Sequence, residues 1–291
     1  MLELLGQLLI NGVQATGVYV LVALGFGVIY NTTHEFHIAH AGGYLIASYT
    51  GYLLFTHILG SFVIKLLITL LGSFLVLALY GFLMNKAYSL IRNSGVSILQ
   101  RFIFSLGILT IITSAYELFF GSYSLTWGIR DIPIKISYFV VSFNYLILLI
   151  ITIIIGILLI IFFKKNKIGY QLKAVSNDAN FSKIIGIKIS KIYNLSYIIG
   201  SMLLVPSAVI QGIEIGSDPY QGLHTTLVGI LSTLMSNGKY TNIIFFVCFF
   251  IIVDNVVQLF LPTQWSWSFV VSFALFIIFL QSYTFYHSKV K

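Results

Sequence analysis

His34, Glu35, His37 and His40 are the residues whose types and spacing first suggest chemistry. They crowd into NTTHEFHIAHAGGYLIAS, residues 31–48. The zinc-protease pattern H-E-x-x-H puts both histidines on one helical face with the glutamate between them. Here the run is H-E-F-H, one residue short. His34 and His37, at i and i+3, can still share a face, with His40 a turn further on. No second cluster of Cys, Asp or Glu supports them, so local hydrogen bonding in a polar turn is the expectation, with no metal and no cofactor. Asp254, Asn255 and Gln258 form the second group, inside the apolar run IIFFVCFFIIVDNVVQLFLP. An ionisable residue is costly within a span and marks a functional site by default. Asp254 and Gln258 lie at i, i+4 on one face, where they line a pathway or bond a neighbouring helix. Glu117, near the outer end of a span, reads as interfacial.

Nucleotide and hydrolase chemistry is missing. Gly238-Lys239 is followed by Tyr240 rather than Ser or Thr, and Thr233 stands where the first P-loop glycine belongs. No G-x-S-x-G elbow occurs. Energy for any transport must come from an ion gradient or a partner protein.

The elements that position these residues are membrane helices. The chain has 291 residues, 58% hydrophobic and 8% charged, against about 25% charged in soluble domains. Apolar runs near 8–30, 41–59, 61–84, 102–121, 139–163, 192–213, 243–261 and 267–286, with a shorter one at 222–236, predict an all-α, polytopic transmembrane bundle of about eight to nine spans. No repeat or linker divides it, so residues 1–291 read as a single transmembrane domain. The net charge of +8 does not imply nucleic acid, because the basic residues collect in loops between spans rather than on a soluble face. Cys248 is the only cysteine, which excludes a disulfide framework and a Cys-based metal site.

Orientation follows from Lys and Arg. No basic residue precedes Lys65, so the n-region of a cleavable signal is missing and the first segment reads as a retained span with its N-terminus outside. Lys86, Arg92 and Arg101, the seven lysines from Lys164 to Lys191, and Lys289 with Lys291 are placed inside. Gly121–Ser137, with Arg130, Asp131 and Lys135, becomes an external loop. The parity closes at nine spans if 222–236 crosses and leaves Lys239 inside; a re-entrant segment gives eight. Lys65 sits just inside a span, its stem free to run along lipid. Gly12, Gly17, Gly25 and Gly27 punctuate the first span and permit close helix approach, which suggests a helix buried in the bundle. Residues 31–48 are too polar for lipid. They form either a broken helix lining a pathway or a plain cytoplasmic turn.

The most hydrophilic stretch is residues 169–192, overlapping a lysine-rich loop at 164–191 that reads as cytoplasmic. Asp178 predicts an N-cap for a helix starting at Ala179, and Gly186 predicts its stop. Between them Phe181, Ile184 and Ile185 share one face at i, i+3, i+4. So short a helix is marginal alone in water and needs a protein groove or a lipid surface.

At these residues the sequence resembles the inner-membrane permease subunits of ABC importers for branched-chain amino acids. That family carries a cytoplasmic loop of the form G-x-x-x-R-A, then an acidic residue, then a small residue four before a G-I pair. Gly169, Lys173, Ala174, Asp178, Ser182, Gly186 and Ile187 stand in those places, with Lys for Arg and Ser for Ala. The N-terminal region is similar too: Asn11-Gly12-Val13, Ala23-Leu24-Gly25-Phe26, Ile29-Tyr30, Thr32-Thr33 and His37-Ile38-Ala39-His40-Ala41 stand where the family has N-G-L, A-L-G-F, I-Y, T-T and N-F-A-H-G. His37 departs from Asn and Ala41 from Gly. Pro219 and Gly222 match a P-x-x-G; the paired glycines that usually follow are reduced to Gly238, and Pro206 is unusual for the sixth span.

The resemblance implies an inner-membrane permease that performs alternating access for branched-chain amino acids, or for urea and short amides. It implies cytoplasmic ATPase subunits, a second related permease and an extracytoplasmic binding protein as partners, besides membrane lipid. It places Lys173, Asp178, Phe181, Ile184, Ile185 and Gly186 in coupling to the ATPase, and the region of His37 and His40 beside the translocation pathway; Asp254 and Gln258 are further pathway candidates on their polarity within a span alone. Rival expectations are an ion-coupled secondary transporter using Asp254 and the histidines, a membrane metalloenzyme built on His34, His37 and His40, and a sugar-type ABC permease.

Overall fold

The computed structural model describes residues 2–128, 133–136 and 138–289. Arg130, Asp131 and Lys291 therefore lie outside the described residues. Twelve helices occur among them, α1 (Leu2–Thr33), α2 (His40–His57), α3 (Phe62–Asn93), α4 (Ile98–Phe120), α5 (Phe143–Lys165), α6 (Lys167–Asn177), α7 (Ala179–Ile184), α8 (Ile189–Met202), α9 (Leu204–Ile215), α10 (Gln221–Met235), α11 (Tyr240–Val257) and α12 (Thr263–Lys289). Two short strands, β1 (Pro133–Ile136) and β2 (Phe139–Ser142), pair antiparallel from Pro133 opposite Ser142 to Ile136 opposite Phe139. The expected external loop thus ends in a hairpin, a small β addition to an otherwise helical chain.

The bundle is built inside out. The best apolar window of α1 is 83% buried and that of α8–α9 72%, whereas those of α3, α4 and α5 are 17%, 11% and 17% buried. Helices α8, α10, α11 and α5 surround α1, and α3, α4 and α5 expose most of their apolar surface. The glycine pattern of α1 carries this packing. A Cβ on Gly25 would stand 2.5 Å from the Gly200 carbonyl oxygen, and one on Gly200 would stand 2.6 Å from that of Gly25. The two backbones touch where any side chain would separate them.

Six stretches among the described residues are long and apolar enough to cross a membrane: Gly6–Thr33, Phe62–Arg92, Ile98–Phe120, Phe143–Lys165, Ile189–Ile215 and Tyr240–Val257. Three of the expected spans fall short by that measure. Helix α2 carries His, Ser, Thr and Gly along much of its length, and eleven of its residues are buried against protein, so it does not need lipid-grade apolarity. Helix α10 has 15 residues, roughly 22 Å at 1.5 Å per residue, less than the ~30 Å of hydrocarbon. In α12 the apolar stretch is Trp265–Phe279. The sixth expected span is broken: α8 ends at Met202, four residues before Pro206. Proline has no N–H to return to that carbonyl and its ring crowds the preceding turn.

The two ends of the bundle differ. At one, Gln7 and Gln14 of α1 donate to the carbonyl oxygens of Val140 (2.7 Å) and Ser142 (3.0 Å) on β2. There Trp127 donates to Ser217 Oγ at 3.0 Å, and Tyr220 bonds Glu117 across to α4. The other end gathers the α1–α2 break, the α3–α4 loop and α6–α7.

Candidate functional site: the buried break and the lysine-rich loop

Helix α1 stops because His34 turns left-handed, with φ 54° and its N–H on the Tyr30 carbonyl at 2.8 Å. A positive φ is uncommon outside glycine and costs free energy that the surroundings must supply. Six residues, 34–39, separate α1 from α2, and most are buried. Irregular backbone at this depth needs protein partners, and four helices provide them. Ser105 Oγ on α4 accepts from Ala39 N at 2.8 Å, and Tyr80 of α3 donates to the Ala39 carbonyl at 2.5 Å. The Ser176 carbonyl of α6 lies 3.3 Å from His34 Nε2, and α8 contributes Tyr197. The segment is a buried break, not an exposed turn.

Glu35 is its centre. Its side chain is 1% exposed and accepts four hydrogen bonds. Arg92 donates Nε to Oε1 and Nη2 to Oε2, both at 2.9 Å; Arg101 donates Nη1 to Oε1 at 3.3 Å; the Tyr197 hydroxyl donates to Oε2 at 2.7 Å. The Arg92 guanidinium also lies 4.3 Å from the Tyr193 ring centroid. A two-pronged arginine contact fixes direction as well as charge. It compensates the desolvation of the carboxylate and ties the break to α3, α4 and α8 together. In the sequence Arg92 and Arg101 stand out only as orientation markers, and Glu35 only as a neighbour of the histidines. A recoverable signal existed: the chain has only eight acidic residues, and one at a polar break demands a cation.

The histidines do not converge. His34 is exposed toward α6, while His37 and His40 are fully buried with ring centroids 6.0 Å apart. His37 Nδ1 lies 3.2 Å from the Tyr88 hydroxyl, and its ring meets Tyr88 and Tyr197 edge-on at 5.3 and 5.1 Å. His40 Nε2 lies 3.3 Å from the Val22 carbonyl. No group of three or more His, Cys, Asp or Glu able to hold a metal occurs among the described residues. Asp254 and Gln258 are elsewhere, about 20 Å along α11 from its start. Gln258 Nε2 donates to Asp254 Oδ2 at 2.7 Å and Ser266 Oγ to Oδ1 at 2.9 Å, which stitches α11 to α12.

The lysine-rich loop at 164–191 folds on the predicted caps. Asp178 Oδ1 accepts from Phe181 N at 2.9 Å, and Gly186 adopts φ 88° while Ile187 N reaches back to the Ser182 carbonyl at 3.0 Å. Phe181, Ile184 and Ile185 are 59%, 82% and 57% exposed, whereas Ser182, on the opposite side, is buried. Helix α6 was not foreseen. Asn166 caps it by accepting from Ile168 N at 2.9 Å, and Gly169, Leu172 and Val175 form its buried stripe; that cap and three-residue spacing were its signal. A Cβ at Gly169 would meet the Phe162 carbonyl oxygen at 2.3 Å, so glycine lets α6 fold back on α5. Lys173 lies on α6 with its ammonium 6.0 Å from the Phe163 ring centroid, away from the apolar α7 face.

A central broken helix, an apolar outer ring and a capped amphipathic loop at one end define a multi-pass membrane permease. The chain belongs to the family described as branched-chain amino acid transport system / permease component, whose model matches residues 8–280; it is an ABC-type permease, a transport subunit. Over 225 residues, 72% of this chain and 71% of the relative, it is 24% identical to the high-affinity branched-chain amino acid transport system permease protein BraD of Pseudomonas aeruginosa. Among solved structures it is similar to PsaBC from Streptococcus pneumoniae in complex with Fab, at 18% identity and TM-score 0.48, covering 92% of this chain and 90% of that one.

Proposed function

We propose that this permease serves an ATP-binding-cassette importer for branched-chain amino acids or similarly small solutes such as urea and short amides. Its partners are cytoplasmic ATPases, a second related permease and an extracytoplasmic binding protein. The observation that carries the reading is α7, a helix capped at both ends whose apolar face is open to a partner. Asp178 and Gly186 fix its ends, and Phe181, Ile184 and Ile185 form the docking face.

Movement of α7 is handed to α6, and α6 touches the break through the Ser176 carbonyl and His34. In the alternating-access cycle the break is the joint, and Glu35 with Arg92 and Arg101 is the clamp that holds one of its positions. His37 and His40 sit beside the pathway just above that clamp, and Asp254 with Gln258 belongs to the pathway's far end. The basic loops, gathered at one end, lie in the cytoplasm; the N-terminus and hairpin lie outside the inner membrane. Lys239 borders the same cavity as Lys164 and Lys173, which supports a crossing of α10 between the two ends.

Affinity purification from native membranes in mild detergent tests the reading. An ATPase subunit is expected to co-purify with the wild type and to be lost with Phe181→Asp or Gly186→Pro. Recovery of equal ATPase with both variants, or of none with the wild type, contradicts it.

A further inference from the structure

A cavity of about 470 Å³ opens where α5, α6 and α11 meet beside α1. Its walls are apolar: Gly156, Ile160 and Phe163 on α5 face Ile244 on α11, and Tyr240 stacks on Phe163 at 4.7 Å. Three lysines, Lys164, Lys173 and Lys239, line the same cavity, and all three are exposed. Among the described residues no aspartate or glutamate lines it, and none of these lysines has a carboxylate partner.

Depth decides what fits. Gly156 and Lys164 are eight residues apart on α5, roughly 12 Å along the axis, close to the ~15 Å of one hydrocarbon leaflet. The lysines therefore lie at headgroup level and the apolar wall at the level of an acyl chain. A free anion would leave the wall unused. A neutral detergent or zwitterionic lipid would leave the rim without net compensation. Basic pockets between membrane helices at an interface suit anionic lipid headgroups.

We infer that this cavity is a binding site for one anionic phospholipid, its phosphodiester held by Lys164, Lys173 and Lys239 and one acyl chain laid along α5 between Gly156 and Phe163. Such a lipid would pack between the coupling loop and the outer helix, and would stiffen α6 against α5 where Gly169 lets them touch. The inference needs neither the identity of the solute nor the ATPase.

The test is native mass spectrometry of the full chain in mild detergent with added phosphatidylglycerol or phosphatidylcholine, alongside thermal unfolding with the same lipids and with inorganic phosphate. Phosphatidylglycerol is expected to be retained at least about tenfold better than phosphatidylcholine, and to raise the unfolding temperature where phosphate does not. Each lysine near an anionic surface contributes about fivefold, so K164Q/K173Q/K239Q should weaken retention on the order of 100-fold. Ile160→Trp, which fills the wall and keeps every lysine, should also weaken it. K188Q/K191Q, on the same end but off the cavity, should not. Equal retention of both lipids, equal stabilisation by inorganic phosphate, or undiminished retention by the triple variant would each overturn the inference.

Discussion

Glu35 changes meaning most between sequence and structure. Beside three histidines it looks like half of a metal site; folded, it is a buried carboxylate shared by two arginines and a tyrosine. Removing its charge leaves Arg92 and Arg101 without a counter-charge, one of them facing an amide N–H instead of an acceptor oxygen. Because both arginines are about a quarter exposed, solvent softens the loss, and Glu35→Gln should destabilise the protein by roughly 1–3 kcal/mol, read as a lower unfolding temperature in detergent. Arg92→Lys should behave similarly, since an ammonium cannot reproduce the two-pronged contact. Asp254 offers the opposite case. Its two hydrogen bonds run to Ser266 and Gln258, and an asparagine keeps one acceptor oxygen for them. Asp254→Asn should therefore cost under about 1 kcal/mol and leave ATP-driven uptake measurable in proteoliposomes. Abolished uptake with an intact fold would favour a proton-carrying role instead. What the sequence could not convey is distance: Glu35 and Arg101 are 66 positions apart, and nothing local announces their meeting.

At the scale of elements, local rules worked where the chain had to satisfy its own backbone. The Asp178 cap and the Gly186 stop were legible because capping geometry is set by a few neighbouring residues. The break at residues 34–39 was legible as polarity out of place, and the Pro206 oddity marked the α8–α9 division. Helix α6 and the β1–β2 hairpin were missed, the first because lysines masked a short apolar stripe, the second because four-residue strands carry little pattern of their own. Phe181 is 59% exposed, so Phe181→Asp should shift stability within about 0.5 kcal/mol while removing ATPase-dependent uptake, a separation of fold from coupling seen by measuring unfolding and transport on one preparation. Gly186→Ala, at φ 88°, should cost about 1 kcal/mol and weaken coupling less than the proline variant does.

For the whole molecule, composition established a membrane protein, and the distribution of basic residues anticipated the grouping at one end. The number of crossings was less legible for a physical reason. Six stretches among the described residues are long and apolar enough to cross, fewer than the eight to nine expected, and a helix wrapped in protein, such as α2 or α10, is not required to be apolar. Packing at that centre depends on paired glycines. Gly200→Leu would drive four heavy atoms into the α1 backbone at the Gly25 contact and should abolish recovery of folded, detergent-soluble protein, whereas Gly156→Leu, with nothing within 4 Å of a Cβ, should leave recovery unchanged.

Docking of α7 on an ATPase can be tested directly by crosslinking. Cys248 is the sole cysteine, so a Cys248→Ser background allows Ile184→Cys, 82% exposed, to be labelled in native membranes with a short maleimide–benzophenone reagent, whose photoreactive end inserts into C–H bonds and needs no cysteine on the partner. The account predicts one dominant adduct, this chain plus an ATPase subunit, absent when cysteine is placed instead at Leu59, which is 93% exposed in the α2–α3 loop. No adduct at Ile184, or the same adduct from both positions, would contradict it.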